Sequence, residues 1–260
     1  MNNRQVTMAI HGGAGALVDR DYSREVAHMR SLVEAGRERL LAEAAALEVV
    51  VETVAALEAS GLYVAGRGAS PNTAGVYELD ASVMDGRTRR AGAVAALQGF
   101  TAPVRAALAV MQASPHVILA GEGAAAFAAE QDLETIADAE AWFTRVGSGR
   151  RQEALATGTV GCVACDQAGG LAAATSTGGV FGKMHGRVGD SPIPGAGVWA
   201  DEFAAVSCTG TGEMFLRAAA AAQVAHRVAF AGEDLAAAAA AALADVRALG
   251  GEGGLIAVNR

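Results

Sequence analysis

The sequence has few aromatic residues, few cysteines and no long apolar run. Only 5% of its 260 residues are aromatic although 52% are hydrophobic, so small side chains must fill the core. No stretch approaches the roughly 18–20 strongly apolar residues that span a membrane, so no membrane partner is expected. Three cysteines, together with an N-terminus that has no apolar signal core, predict reduced thiols in the cytoplasm.

Positive charge is also scarce. Lys and Arg number 20 against 28 Asp and Glu, a net charge of −8. Because phosphate binding needs a basic surface, nucleic acid is not an expected partner. An anionic small molecule is still compatible, since one arginine can bind it locally. The sequence is instead rich in alanine and has 33 glycines, which let secondary-structure elements pack closely.

Apolar runs and turn residues predict strands at the start of each half of the chain, followed by helices. Strands are expected over 6–10, 78–84, 91–97, 159–166, 171–176, 195–200, 204–208 and 254–258. Helices are expected over 23–58, 102–113, 122–130, 213–230 and 234–249. The polar, basic stretch 145–158 is the best candidate for a linker. This order predicts sheets covered by helices in one layered domain.

One motif, Gly158-Thr159-Val160-Gly161, is placed so that a single backbone cut would make a threonine the first residue of a new chain. An internal threonine hydroxyl is a poor nucleophile because it needs a nearby base. A threonine at a chain start carries its own base, the α-amine, whose pKa of about 7.7–8.0 suits proton abstraction near neutral pH. Two Thr-Gly runs and a loop between them, 174–179, 208–213 and 186–192, follow downstream.

Seven segments, in order, carry a resemblance to a known family. They are 11–15, 79–86, 114–117, 158–161, 171–179, 186–192 and 207–213. Together they resemble the plant-type (type 2) L-asparaginase and isoaspartyl peptidase family, a branch of the N-terminal nucleophile hydrolases. The resemblance spans nearly the whole chain and implies an α/β fold, a four-layer αββα sandwich in one domain, 1–260. It also implies self-cleavage into fragments 1–158 and 159–260, which stay together as protomers of a homodimer.

The resemblance implies a role for each Thr-Gly run. Thr159, released by cleavage of the Gly158–Thr159 bond, would attack the side-chain carbonyl of L-asparagine or of a β-aspartyl dipeptide and form a covalent intermediate. Thr177 would hydrogen-bond the nucleophile and help to set its protonation. Thr209 and Gly210 would form the oxyanion hole. No cofactor is expected for catalysis.

Arg187 and Asp190 are the predicted specificity pair, with Gly210 and Gly212 also at the substrate site. A planar guanidinium can bind an α-carboxylate through two parallel hydrogen bonds, and a carboxylate suits an α-ammonium. The alternative is that the two side chains simply pair with each other. The resemblance also implies a structural sodium ion held by the backbone carbonyls of Leu57, Glu58, Ser60, Tyr63, Ala65 and Arg67.

Three departures from the family pattern affect the prediction. Val64 stands where the family usually has an asparagine, the linker before Thr159 is short, and the chain stops at Arg260 where relatives continue through another strand. The departures keep open a non-enzymatic alternative, an unprocessed relative that binds a small amino acid without turnover. A glycosylasparaginase is a further alternative, although that branch typically cuts after aspartate and is exported. Nucleotide binding is disfavoured, because no complete glycine-rich phosphate loop is present.

Cys162 and Cys165 form a Cys-x-x-Cys pattern that suggests redox or metal chemistry. On a strand, however, side chains three residues apart point to opposite faces, so the two thiols should not meet and core packing is expected. His11, His116 and His185 have no serine or cysteine nucleophile motif nearby, and structural roles are predicted for them.

Overall fold

The computed structural model describes residues 6–17, 19–144 and 158–260. Apart from Gly158, the predicted linker 145–158 lies outside the described residues. The strands of the described ranges are β1 (Thr7–His11), β2 (Leu79–Asp85), β3 (Ala91–Leu97), β4 (Ile118–Ala120), β5 (Val160–Cys165), β6 (Leu171–Thr177), β7 (Val198–Ala200), β8 (Ala205–Gly210) and β9 (Gly253–Val258).

These strands form two sheets. The first has the strand order β1-β5-β6-β2-β3-β4, and the second has the order β7-β8-β9. Neighbouring strands are antiparallel, except that β3 and β4 are parallel. Since β5 begins directly after Thr159 and lies between β1 and β6, the predicted nucleophile stands at the end of an interior strand.

Helices cover the outer face of each sheet. The α-helices of the described ranges are α1 (Ser23–Leu41), α2 (Ala46–Ser60), α3 (Pro103–Ala113), α4 (Gly121–Glu130), α5 (Ala139–Trp142), α6 (Gly212–Ala218), α7 (Ala220–His226) and α8 (Leu235–Ala248), and a π-helical segment, Arg227–Ala231, follows α7. One apolar core lies between α1–α4 and the first sheet, another between α6–α8 and the second sheet, and a third between the two sheets. The architecture is therefore the four-layer αββα sandwich that the resemblance implies. Among the described helices, none has both the length and the apolar character needed to cross a bilayer.

Two predicted helices are each split in the structure. The prediction of one helix over 23–58 is wrong, because α1 ends at Leu41 and Glu43 takes a left-handed conformation with φ of 65°. The second helix begins where Asp166, from the β5–β6 turn, accepts a hydrogen bond from the backbone N–H of Ala46 at 3.1 Å. A contact 120 residues away in sequence thus sets this helix start, which local periodicity does not reveal.

The predicted helix over 213–230 breaks in the same way at Ala219, whose φ is 48°. The N–H groups of Ala221 and Ala222, at the start of α7, donate to the carbonyls of Ala196 and Gly195 at 3.2 and 2.9 Å. The short elements β4 and α5 and the 3₁₀ turn Gly66–Gly68 were not predicted. The other predicted elements are present, with ends shifted by at most three residues.

Candidate active site

The side chains of β5 alternate between two cores. Cys162 packs on the helix side of the first sheet, whereas Cys165 packs between the sheets, so the predicted separation of the two thiols is confirmed. Thr159 has the same parity as Cys165 and therefore faces the second sheet. Thr177 at the end of β6 and Thr209 on β8 enter the same space from the two facing sheets.

The Thr159 hydroxyl is buried and lies between two other hydroxyls. Its Oγ1 donates to Thr177 Oγ1 at 3.2 Å and lies 3.5 Å from Ser191 Oγ. Thr177 Oγ1 also accepts a hydrogen bond from the backbone N–H of Gly179 at 3.0 Å, which fixes the second threonine in place. The structure thus brings Thr159 and Thr177 together, as the resemblance implies.

Ser191 is a site residue that the sequence analysis missed. It is 1% exposed, and its carbonyl accepts a hydrogen bond from Ser82 Oγ at 2.5 Å, which ties it to β2 of the first sheet. The signal that could have found it is its place directly after Asp190 in the 186–192 loop. Asp190 is the predicted substrate-binding residue, and its neighbour Ser191 contacts the predicted nucleophile Thr159.

The fourth residue of the Gly158–Gly161 motif is a glycine for a steric reason. A Cβ on Gly161 would lie 2.0 Å from Ser207 Oγ and 2.4 Å from His11 Nε2. These two side chains are themselves hydrogen-bonded at 2.9 Å, and Ser207 Oγ lies 2.7 Å from Thr175 Oγ1. Burial lowers the pKa of His11 to about 4 against the effect of the Thr159 backbone, so the imidazole is neutral near pH 7.

The predicted oxyanion donors lie on and directly after Thr209. The Thr209 hydroxyl is 4% exposed, and its Oγ1 accepts a hydrogen bond from the Ala14 N–H at 3.1 Å. A hydroxyl that accepts a hydrogen bond can also donate one, and since Thr209 Oγ1 donates to no other described residue, its hydrogen is available to a developing oxyanion. Gly210 has a φ of +151°, and a Cβ there would lie 2.3 Å from the Glu252 carbonyl oxygen, so only glycine fits.

Arg187 and Asp190 lie close together but do not form the mutual ion pair weighed as an alternative. Arg187 instead pairs with Glu213, Nε to Oε1 at 2.9 Å and Nη2 to Oε2 at 3.0 Å. A Cβ on Gly212 would lie 2.8 Å from Asp190 Oδ1 and 3.0 Å from Arg187 Nη2. The missing side chain of Gly212 therefore keeps open a space that both charged groups border.

Asp190 is a buried carboxyl with an unused acceptor. It is 4% exposed, and its Oδ2 has no hydrogen-bond partner among the described residues. Burial raises the pKa of Asp190 to about 7, although the nearby Arg187 charge acts in the opposite direction. A buried acceptor of this kind is costly unless a ligand supplies the missing donor.

A second group of buried charges lies next to this space. Burial raises the pKa of Asp80 to about 6, while the charge of Lys183 opposes that shift. Burial also lowers the pKa of Lys183, whose Nζ donates to the backbone carbonyl of Glu78 at 2.8 Å. The charges of Asp80 and Glu213 further raise the pKa of Asp190. The site therefore contains several carboxyl groups whose protonation is coupled.

Val64, the departure from the family pattern, contacts the predicted cleavage site. A Cβ on Gly158 would lie 2.6 Å from both Cβ and Cγ2 of Val64. The Val64 carbonyl accepts a hydrogen bond from Gly178 N–H at 2.8 Å, in the loop that follows Thr177. An apolar side chain thus covers Gly158 at the position where the family usually provides an amide.

The carbonyls that the resemblance assigns to sodium fit that role only in part. The Arg67 carbonyl accepts two hydrogen bonds, from Thr144 N–H at 2.9 Å and Thr144 Oγ1 at 3.2 Å, which use both of its lone pairs. The carbonyls of Leu57 and Ala65 each accept one, from Ser60 Oγ and Gly68 N–H, and keep a second lone pair. In the described ranges, no group of three or more His, Cys, Asp or Glu could hold a metal ion.

Two sheets between helical layers, with threonine hydroxyls converging between the sheets, are the architecture of the N-terminal nucleophile hydrolases. Residues 4–260 match the asparaginase family, and the chain belongs to it. It is 43% identical over 279 residues to an isoaspartyl peptidase of Salmonella typhimurium, covering 98% of this chain and 89% of the relative. It is 44% identical over 226 residues to a plant-type L-asparaginase of Pyrobaculum calidifontis, covering 81% of this chain and 75% of the relative.

Proposed function

We propose that the protein is a self-processing amidohydrolase that hydrolyses β-aspartyl dipeptides and L-asparagine. The observation that carries the proposal is the buried Thr159 hydroxyl, 3.2 Å from Thr177 Oγ1 and directly after Gly158. Family membership and the names of the relatives, isoaspartyl peptidase and plant-type L-asparaginase, support the same substrates.

Self-cleavage is the first step of the proposal. Hydrolysis of the Gly158–Thr159 peptide bond gives fragments of 158 and 102 residues and leaves Thr159 with a free α-amine. The two fragments remain associated because β5 pairs with β1 and β6 with β2, so each fragment supplies strands to the first sheet. The shared sheet then holds Thr159, the first residue of the second fragment, in place.

In the hydrolytic reaction the α-amine takes the proton from Thr159 Oγ1, which attacks the side-chain carbonyl of the substrate. The oxyanion accepts hydrogen bonds from Thr209 Oγ1 and the N–H of Gly210, and loss of one such donor typically costs about 2.7–4 kcal/mol of barrier. The carbon–nitrogen bond breaks, and the protonated amine gives its proton to the leaving nitrogen. Water then hydrolyses the β-aspartyl ester and regenerates Thr159.

The substrate is recognised through its α-amino acid head group. Asp190 Oδ2 accepts a hydrogen bond from the α-ammonium, which supplies the donor that this buried oxygen lacks. Arg187 binds the α-carboxylate with the N–H groups that do not point at Glu213, across the space next to Gly212. The site therefore binds both the α-ammonium and the α-carboxylate of the substrate. This requirement disfavours cleavage of internal peptide bonds, which lack these two charged groups.

The proposal extends to assembly, location and ion content. The processed protomers form a homodimer, which the mass of the native protein in solution would test. The protein acts in the cytoplasm, a location that suits its three buried cysteines, none of which is in a disulfide.

A structural sodium ion is held by the carbonyls of Leu57, Glu58, Ser60, Tyr63 and Ala65, without that of Arg67. A higher melting temperature in sodium chloride than in choline chloride would support this ion, and no step of the reaction passes through it.

The intact mass and N-terminal sequence of the purified protein test the main proposal. Two fragments, one starting at Thr159, and release of ammonia from L-asparagine are expected. Thr159→Ala should remain one inactive chain, whereas Thr88→Ala, at an exposed threonine, should be processed and active. Full activity of an uncleaved wild-type chain would contradict the proposal.

A second candidate is an unprocessed protein that binds a small amino acid without turnover. The packing of Val64 against Gly158 favours it, since an apolar side chain cannot hydrogen-bond groups at the cleavage site. Calorimetric binding of L-aspartate, combined with an intact chain and no ammonia release, would establish this second function instead.

A further inference from the structure

A cleft of about 300 Å³ opens beside Gly158 and has no role in the reaction described above. Much of its wall is apolar and comes from the first turns of α1 and the segment 62–64. The apolar side chains that form this wall are Val26, Met29, Leu62, Tyr63 and Val64. Its volume is at the lower end of the roughly 300–1,000 Å³ usual for small-molecule pockets, which suits one amino-acid residue better than a longer peptide.

Two contacts place this cleft at the reaction centre. Gly158, the residue bonded to the Thr159 nitrogen, is part of its wall. Gly13 and Gly15 are also part of the wall, and between them the Ala14 N–H donates to Thr209 Oγ1 at 3.1 Å. The cleft therefore borders both the position of the α-amine and the proposed oxyanion donor.

The order of the proton transfers gives the direction in which the leaving group departs. The amine that takes the Thr159 proton must return it to the leaving nitrogen, so that nitrogen lies within hydrogen-bond reach of the amine. The hydroxyl oxygens of Thr177 and Ser191 already lie 3.2 and 3.5 Å from Thr159 Oγ1. Since Gly158 precedes the position of this amine and lines the cleft, we expect the group attached to the leaving nitrogen to extend toward the cleft.

We propose that the cleft binds the amino acid released from a β-aspartyl dipeptide and selects an apolar side chain at that position. This inference rests on the proposed function. The polar end of the cleft contains Arg20 and Glu25, whose Nη2 and Oε1 atoms are 2.7 Å apart. Arg20 uses one nitrogen for this ion pair, and its remaining N–H groups suit the terminal carboxylate of the leaving residue.

The test compares kcat/KM for β-aspartyl-leucine, β-aspartyl-lysine and L-asparagine, whose leaving group is only ammonia. The wild-type enzyme should prefer the leucine dipeptide to the lysine dipeptide. Val26→Asp places a charge in the cleft at a position 46% exposed, and should lower the ratio of β-aspartyl-leucine to L-asparagine hydrolysis about tenfold. Val117→Asp, 48% exposed and outside the cleft, is the matched control and should leave that ratio unchanged.

Met29→Ala provides a second variant, which enlarges the cleft without adding charge. It should lower the leucine-to-asparagine ratio and raise hydrolysis of β-aspartyl-phenylalanine relative to β-aspartyl-leucine. If wild type hydrolyses both substrate classes and neither variant changes these ratios, the subsite is refuted while the proposed function stands. If wild type hydrolyses neither L-asparagine nor any dipeptide, the proposed function itself fails.

Discussion

The raised pKa of Asp190, to about 7, predicts that the binding of an amino acid is linked to proton release. Burial raises this pKa, and an α-ammonium can bind only after the proton has left the carboxyl group. At pH 6 about nine-tenths of Asp190 is protonated, whereas at pH 8 about one-tenth is. The apparent Kd for L-aspartate, the reaction product, should therefore be about tenfold weaker at pH 6 than at pH 8, or about 1.4 kcal/mol.

Isothermal titration calorimetry of L-aspartate into the processed protein measures this linkage. Titrations in two buffers with different ionisation enthalpies give the number of protons released, expected from Asp190 to be about 0.9 at pH 6 and about 0.1 at pH 8. Asp190→Asn should weaken binding and remove this component of the pH dependence. Asp132→Asn, at an exposed aspartate, is the matched control and should behave as wild type.

Other groups titrate near the same space, and the variant separates them from Asp190. Asp80 has a pKa raised to about 6, and Arg187 and Glu213 also act on Asp190 through their charges. Processing would also free an α-amine at Thr159, a type of group whose reference pKa is about 7.7–8.0. A wild-type affinity that does not change between pH 6 and 8, or a pH dependence in Asp190→Asn as large as that of wild type, would refute the assignment.

Three further predictions concern the support of the site. Ser191→Ala should lower kcat roughly 2–10-fold with little change in KM, because the variant lacks the hydroxyl that contacts Thr159 Oγ1. Steady-state kinetics would test this. Gly161→Ala should lower the free energy of unfolding by about 1–3 kcal/mol because its methyl meets Ser207, whereas Gly123→Ala, with no neighbour within 4 Å, should not lower it in urea denaturation. Burial raises the pKa of Glu58 to about 8, so its stabilising contribution is lost as pH rises from about 4.5 through 8. Glu58→Gln should therefore be more stable than wild type above pH 8, a difference that disappears toward pH 5.

The elements that surround the site were predictable because their patterns are local. Alternation along β5 predicts that Cys162 and Cys165 face opposite cores, and the structure places them so. The same parity rule directs Thr159 into the space between the two sheets, which Thr177 on β6 and Thr209 on β8 also enter. The chemistry of a threonine at a chain start predicted Thr159 as the nucleophile. The resemblance to the family predicted the roles of Thr177, Thr209 and Gly210.

The contacts that were not predicted join residues far apart in sequence. Two guanidinium nitrogens of Arg187 donate to Glu213, 26 residues away, whereas the alternative weighed from the sequence paired Arg187 with Asp190. Ser191 reaches Thr159 across 32 residues. The start of α2 at Ala46 depends on Asp166, a contact that no helical periodicity encodes. Such contacts depend on how the helices and the two sheets pack against each other, and this packing is visible only in the three-dimensional structure.

The space between the two sheets combines an apolar core with a group of polar side chains. Its apolar part includes small side chains, such as Ala173 and Ala205, between larger ones such as Met84 and Leu171. At the Thr159 end the sheets contribute mainly hydroxyl groups and a neutral imidazole, whereas Arg187 and Asp190 enter from the 186–192 loop. The proposed nucleophile therefore lies among mostly neutral hydrogen-bonding partners, and in the proposed reaction the charges of the substrate are bound mainly by that loop. Changes in the loop should alter which head group binds without changing how the Thr159 hydroxyl is held.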